Sequence, residues 1–270
     1  MTTIAHLSDL HFGTEIPAVV AALAAELQER RPSLVVVSGD LTQRARRSQF
    51  RHARAWLDQL PRPQLVVPGN HDVPLYDVVR RFLAPLARYR RFISTDPNPF
   101  LLHDEVAVIG LNTARSFTWK SGRISAEQLR LLEQRLNGAG ARLKVVVTHH
   151  PFLPPPDGIG IDLVGRAALA IPILAAGGAD LLLAGHLHRG YSGDVRSHYP
   201  ASQRAIIAAQ AGTATSGRTR HEANAYNWIA LSGDRLEFEI RAWSGAGFRP
   251  LNTRGYRRYP DGWILDSSPT

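Results

Sequence analysis

The chain has no cysteine, so disulfides and metal–thiolate sites are excluded, and any metal must be held by nitrogen and oxygen. It has one methionine, and only two of its 32 basic residues are lysine. The formal charge of +9 and pI near 10.5 invite a nucleic-acid or anionic-membrane partner. An arginine- and alanine-rich composition produces the same numbers without one. Arg47, Arg51 and Arg54 share a helix face opposite Phe50, Ala53 and Leu57, the usual solvated side. Arg80, Arg81, Arg88, Arg90 and Arg91 form a separate cluster, so a solvated surface is the preferred reading. No apolar run approaches the roughly 20 residues of a membrane span. No basic leader precedes the first apolar stretch, and a cytoplasmic protein is expected.

What is present is a regular alternation. Ile4 to Leu7 reads as a strand. Residues 16–30 read as a helix on Ile16, Val19, Val20, Leu23, Ala24 and Leu27, with Pro17 tolerated near its start. Leu34 to Ser38 is a continuous apolar run, the mark of a strand buried on both faces. A helix over 45–59 and a strand over 64–67 complete a β-α-β-α-β order, which implies a parallel sheet covered by helices. Residues 76–91 look helical on Tyr76, Val79, Leu83 and Leu86, interrupted at Pro85. Phe100–Leu102 and Val106–Leu111 read as a hairpin around His103-Asp104-Glu105. Ser125 and Gln128 open a helix over 125–137 through a capping box.

Strands at 143–147 and 181–183 are separated by a stiff proline loop, Pro151 to Gly160, and a short helix at 166–176. Past Gly190 the pattern is mostly β, with candidates at Ala205–Ala209, Tyr226–Leu231 and Leu236–Trp243. There is no internal repeat and no long linker. The expected organisation is one α/β domain over 1–251, two packed sheets with helices outside, and a polar tail over 252–270.

Five of these strands run straight into polar residues: Asp9-Leu-His11, Gly39-Asp40, Gly69-Asn-His-Asp72, His149-His-Pro151 and Gly185-His-Leu-His188. In open α/β sheets ligands sit beyond the carboxyl ends of the strands, so the sheet itself would gather these clusters. Asp9 and His11, two residues apart, point to one side of an extended backbone, as do His186 and His188. The pool is two carboxylates, four imidazoles and one amide oxygen. That is too many for one tetrahedral ion and suits two ions sharing a carboxylate. Two ions about 3.5–4 Å apart activate a water and stabilise both attacking and leaving oxygens in phosphoryl transfer. His71 is not needed for the metals and is free to protonate the leaving oxygen, with Asp72 to orient it. Any one cluster alone has a bland explanation: Gly39-Asp40 is a common turn, and Asp9 with His11 could be a cap and a hydrogen-bonded ring. The conjunction of five carries the reading.

These residues resemble the five signature motifs of the calcineurin-like metallophosphoesterase superfamily, in order and at similar spacing, over roughly residues 2–190. Within it the chain is most similar to the bacterial cyclic-nucleotide phosphodiesterase-like branch, on Gly69-Asn-His-Asp72, the doubled His149-His150-Pro151 and a late Ala211-Gly-Thr-Ala-Thr-Ser216 stretch. The resemblance implies a four-layer α/β/β/α sandwich of two mixed sheets with a di-metal site at the strand ends. Carried over by position, one metal would take Asp9, His11, bridging Asp40 and His188, and the other Asp40, Asn70, His149 and His186. Asn70 and His71 would contact the phosphate.

The expectation is thus a phosphodiesterase of a small, cyclic-nucleotide-like substrate. A metal-bridging hydroxide attacks phosphorus and His71 assists the leaving group. Manganese, iron and zinc all fit nitrogen–oxygen ligation, and a pure Mg²⁺ site does not. Family resemblance makes a homodimer plausible. Alternatives are a nuclease or lipid-headgroup phosphoesterase using the basic surface, and a non-catalytic scaffold, which should have lost ligands that are all in place here. His150 is read as a neighbour of the site or a structural partner of Pro151. His6, His52, His103 and His198 are assigned to surface or satisfied core. Arg218, Arg220, His221 and Asn224 could line the cleft, and Trp56, Trp228 and Trp243 belong to core patterns.

Overall fold

The computed structural model describes residues 1–158, 160–220 and 222–266. The first sheet has seven strands in the order β13-β12-β11-β10-β1-β2-β3. They are β1 (Thr2–Leu7), β2 (Leu34–Ser38), β3 (Gln64–Val67), β10 (Ala225–Ser232), β11 (Arg235–Trp243), β12 (Phe248–Tyr259) and β13 (Gly262–Leu265). The second has six, in the order β4-β5-β6-β7-β9-β8: β4 (Phe100–His103), β5 (Val106–Gly110), β6 (Leu143–Val147), β7 (Leu181–Ala184), β8 (Tyr191–Asp194) and β9 (Ile207–Gln210). β1, β2 and β3 pair in parallel, as do β5, β6, β7 and β9, while the C-terminal strands add antiparallel.

Side-chain alternation divides the interior into three layers of contact. Ile4, Leu34, Val36, Leu65 and Val67 face Val108, Val145, Val147 and Leu183 across the gap between the sheets. Their neighbours Ala5, Leu7, Val35, Val37 and Val66 point the other way. There they meet Val19, Leu23 and Leu27 of α1 (Pro17–Arg30), Phe50 and Trp56 of α2 (Arg47–Leu57), and Tyr89 of α4 (Ala87–Phe92). Behind the second sheet, Val146 and Leu182 pack with Leu132 and Leu136 of α5 (Ala126–Gly138) and Ala170 and Leu174 of α6 (Ala167–Ala176). The central strands bury both faces and the helices one each, which yields the α/β/β/α sandwich expected from sequence. The capping box of Ser125 and Gln128 opens α5 as expected.

Two segments depart from the sequence reading. Residues 76–91 split at Pro85 into α3 (Val78–Leu83) and α4. Tyr76, Val79 and Leu83, taken as an apolar helix face, are exposed, and only Leu86 of that set is buried. Residues from Asn252 on, read as a polar tail, continue β12 and form β13 through Leu265. Trp263 there is fully buried, and its indole donates to Asp180 at 3.0 Å. Tyr256 on β12 is buried in the same core, so two aromatic side chains anchor a strand pair that is otherwise polar from Asn252 on, and local composition does not announce them.

Candidate metal centre

The parallel strands of both sheets deliver their C-terminal ends to one place. Asp9 and His11 follow β1, Asp40 follows β2, and Asn70 and His71 lie on a 3-10 turn, Asn70–Asp72, after β3. His149 follows β6, and His186 and His188 follow β7. The exits are tight. Asp9, His11, Asp40, His186 and His188 all have left-handed backbones, with φ between 47° and 74°. These five are half of the ten non-glycine residues so placed among the described residues. Each costs of order 1–3 kcal/mol, and such strain collects where side chains are aimed rather than where the chain merely turns. Gly39 has φ of +97°, and a Cβ there would meet His149 Nδ1 at 2.7 Å. A Cβ on Gly69 would strike Asp40, and one on Gly185 would strike Ser8 and Asp9.

Asp9 Oδ1 lies 3.4 Å from His11 Nε2 and 3.7 Å from His188 Nε2. Asp40 Oδ2 lies 3.7 Å from His11 Nε2 and 3.4 Å from His149 Nε2. Asn70 Oδ1 is 3.1 Å from both His149 Nε2 and His186 Nδ1. A single carboxylate oxygen of Asp40 thus stands between two donor sets, Asp9/His11/His188 and Asn70/His149/His186. Asp9, His11, Asp40, His149 and His188 are buried.

Neighbouring groups fix which ring nitrogen is free. Thr213 Oγ1 donates to the Arg218 carbonyl at 2.8 Å, so it accepts from His188 Nδ1 at 2.7 Å and leaves Nε2 with its lone pair. The Ser38 carbonyl accepts from His149 Nδ1 at 2.8 Å with the same result. Asp9 Oδ1 and both nitrogens of His11 are buried without a protein hydrogen-bond partner. Leaving a buried polar atom unsatisfied costs about 1–3 kcal/mol. A cation satisfies Asp9 Oδ1 and His11 Nε2 together, so the donor set fits a metal.

The electrostatics agree. Burial by itself would raise the two carboxylates, but the surrounding histidines, His188 for Asp9 and His149 for Asp40, hold both below the ordinary carboxylate range. Burial opposes a charged His149, yet Asp40 beside it outweighs burial and raises the ring to about 9. Burial lowers His186 to about 3 and His188 to about 4. In the metal-free protein one proton on His149 thus supplies positive charge that a cation would otherwise bring.

His71 donates its backbone N–H to Asp40 Oδ1 at 2.8 Å, and its ring Nδ1 donates to the Gln43 carbonyl at 2.9 Å. Nε2 accepts from Arg218 at 3.1 Å. Burial lowers its pKa. Asp72 does not orient this ring, contrary to expectation. One residue further along the turn, its carboxylate points back and accepts from the N–H groups of Gly69, Leu41 and Thr42 and from the Thr42 hydroxyl, at 2.9 to 3.1 Å. It ties the β2 exit to the β3 exit, and burial followed by the Asp40 charge raises it to about 6.

His150 packs on His149 and His186, with ring centroids 4.9 and 4.6 Å away, but both nitrogens are taken, by Thr113 Oγ1 and the Lys120 carbonyl at 2.8 Å each. Its role is structural support. His6 is buried on β1 against Ser38 and Asn227. His52, His103 and His198 belong to none of the donor clusters among the described residues. Asn224 is buried and donates to the Thr213 and Ser216 carbonyls, Arg220 is exposed, and His221 lies outside the described residues. Sequence reasoning did not single out Gln43, Thr213, or Arg44, whose guanidinium NH1 lies 3.4 Å from His71 Nδ1. Thr213 lies in the Ala211–Ser216 stretch, and that stretch was its only signal.

A four-layer sandwich with nitrogen–oxygen donors at its strand ends is the architecture of metal-dependent phosphoesterases. The chain belongs to the calcineurin-like phosphoesterase family, whose model matches residues 2–190. It is 25% identical over 210 residues to a probable cyclic nucleotide phosphodiesterase of a Synechococcus strain, covering 70% of this chain and 74% of that one. It is 31% identical over 164 residues to a glycerophosphodiester phosphodiesterase of Enterobacter lignolyticus, covering 56% and 57% respectively, so the chain spans little more than half of that relative. The fold is similar to that of a dimetal phosphatase from Danio rerio, with a TM-score of 0.63, 14% identity, and 93% and 98% of the two chains covered. It is also similar to that of a purple acid phosphatase from yellow lupin, with a TM-score of 0.72, 11% identity, and 96% of this chain but 54% of that chain covered.

Proposed function

We propose that this chain hydrolyses a phosphodiester of a small molecule, with a cyclic nucleotide or a glycerophosphodiester as the leading substrate types. The observation that carries the reading is Asp40 Oδ2 standing between His11 and His149 at 3.7 and 3.4 Å. One ion would be held by Asp9, His11, Asp40 and His188, the other by Asp40, Asn70, His149 and His186. Bound there, the cations would supply Lewis acidity and an activated water. The protein's own contributions are orientation and proton handling. Thr213 and the Ser38 carbonyl present His188 and His149 through the correct nitrogen, and Asp72 locks the two loops that carry Asp40 and Asn70. His71, held through Nδ1 by Gln43, turns Nε2 toward the cleft; that atom accepts from Arg218 in the neutral ring, and once the ring takes up a second proton there, Nε2 gives it to the leaving oxygen. The similarity to diesterases named for cyclic nucleotides and glycerophosphodiesters supports a diester over a monoester.

The test is a metal-reconstituted screen over cyclic nucleotides, glycerophosphodiesters, aryl diesters and phosphomonoesters. Turnover of diesters above monoesters is expected. Monoesters turned over faster than every diester would overturn the diesterase reading, and no hydrolysis by fully loaded protein would overturn the enzyme.

A further inference from the structure

Arg218, like Arg44, is a cation beside His71 with no task assigned so far. It comes from the C-terminal half, yet its guanidinium NH1 lies 3.1 Å from His71 Nε2 and 3.1 Å from Gln43 Oε1. Among the described residues eleven other arginines pair with carboxylates, from Arg54 with Asp58 to Arg258 with Asp180, whereas Arg218 has no ion-pair partner there. A guanidinium is charged at every working pH and presents five donors in a planar fork. Only NH1 is occupied, and what occupies it is a neutral imidazole and an amide oxygen. The remaining donors of the fork, on Nε and NH2, make no hydrogen bond among the described residues.

Its placement is built. The Arg218 carbonyl accepts from Thr213 Oγ1, the hydroxyl that also orients His188. One turn therefore sets both a candidate metal ligand and this guanidinium. Thr215 Oγ1 binds the Leu10 carbonyl at 2.8 Å, and the Ala214 N–H binds the Ser8 carbonyl at 3.0 Å, which fastens the turn to the β1 exit.

We propose that Arg218 is a substrate-binding residue that holds an anionic oxygen of the scissile phosphoryl group beside His71. This deepens the phosphoesterase reading and rests on it. An oxygen within reach of His71 Nε2 is also within reach of Arg218, and an anion is the one ligand class for which the fork's unused donors gain a charge-assisted pair of bonds. Gln43, bonded to NH1, pre-orients the fork. It follows that the segment after Thr213, as well as the motif loops, selects for a charged phosphoryl group.

The test uses the metal-reconstituted full chain, titrated calorimetrically with inorganic phosphate, together with kinetics on bis(p-nitrophenyl) phosphate. Arg218→Ala should weaken phosphate about 10- to 100-fold and raise KM, with metal content and Tm retained. Arg218→Lys should recover part of the loss, since it keeps the charge without the fork. If Arg218→Ala binds phosphate as the natural protein does, the proposal is wrong, and a lowered Tm in the same variant would make the residue a structural tie. Phosphate binding that depends on Arg218 in a protein that hydrolyses no ester would uphold this proposal while overturning the hydrolase reading. Failure of the natural protein to bind phosphate would overturn this proposal.

Discussion

Asp40 differs from an asparagine by one charge and almost no volume, which makes it the sharpest single-residue probe of the site. Asp40→Asn should fold, bind fewer metal ions, and lose activity by about 10³-fold or more, because several kcal/mol of charge stabilisation go with the carboxylate. Elemental analysis beside a thermal melt checks both halves, and full metal content would contradict the bridging role. His71→Ala should leave metal content unchanged while lowering kcat by about 10²–10⁴-fold, most for substrates with poor leaving groups. Equal losses across a leaving-group series would remove its role as acid. The convergence of the candidate metal donors was legible in the sequence because each follows an apolar strand directly. Gln43, Thr213 and the Ser38 carbonyl were not, since a hydrogen bond to a ring nitrogen leaves no pattern along the chain. Asp72 was misassigned because adjacency in sequence was taken for contact, and a 3-10 turn sends successive side chains different ways.

At the scale of elements, the parallel strands and their exits are the working parts, and glycine decides how closely the exits approach. A Cβ at Gly69 would press on Asp40, so Gly69→Ala should displace that carboxylate and weaken metal binding without greatly altering helix content. Circular dichroism with a metal titration checks this, and unchanged affinity would show that the loops yield. Asp72→Ala should cost about 3 kcal/mol or more in denaturant unfolding, since three buried backbone N–H groups lose their acceptor. β1, β2, β3, β6 and β7 were readable from continuous apolar runs. α3 was harder: its apolar residues have helical spacing but face solvent, and periodicity reports spacing without saying where the core is. β12 past Asn252 and β13 were unreadable because only two widely spaced buried aromatics, Tyr256 and Trp263, fix a polar hairpin.

For the whole molecule, a metal bound at this centre would be linked to folding. In the metal-free protein His149 sits at about 9 beside Asp40, above its ordinary value of about 6.5 in the unfolded chain. A raised folded pKa means that this pair's stabilisation is fully present below about 6.5 and is lost as pH rises through about 9. The Tm of chelator-treated protein should therefore fall between pH 7 and pH 9.5. Metal-loaded protein should melt higher throughout and show less of that fall, because the ligand nitrogen no longer titrates. A chelator-treated Tm that stays level or climbs would contradict the pairing. The formal charge of +9 did not identify a partner from sequence, and many of the arginines behind it are spent on carboxylates within the fold.

The most direct measurement is anomalous scattering from crystals of the reconstituted protein, collected at the absorption edges of manganese, iron and zinc. Two peaks about 3.5–4 Å apart, both in contact with Asp40, are the predicted result. A single peak, or two with Asp40 touching only one, would contradict the binuclear centre.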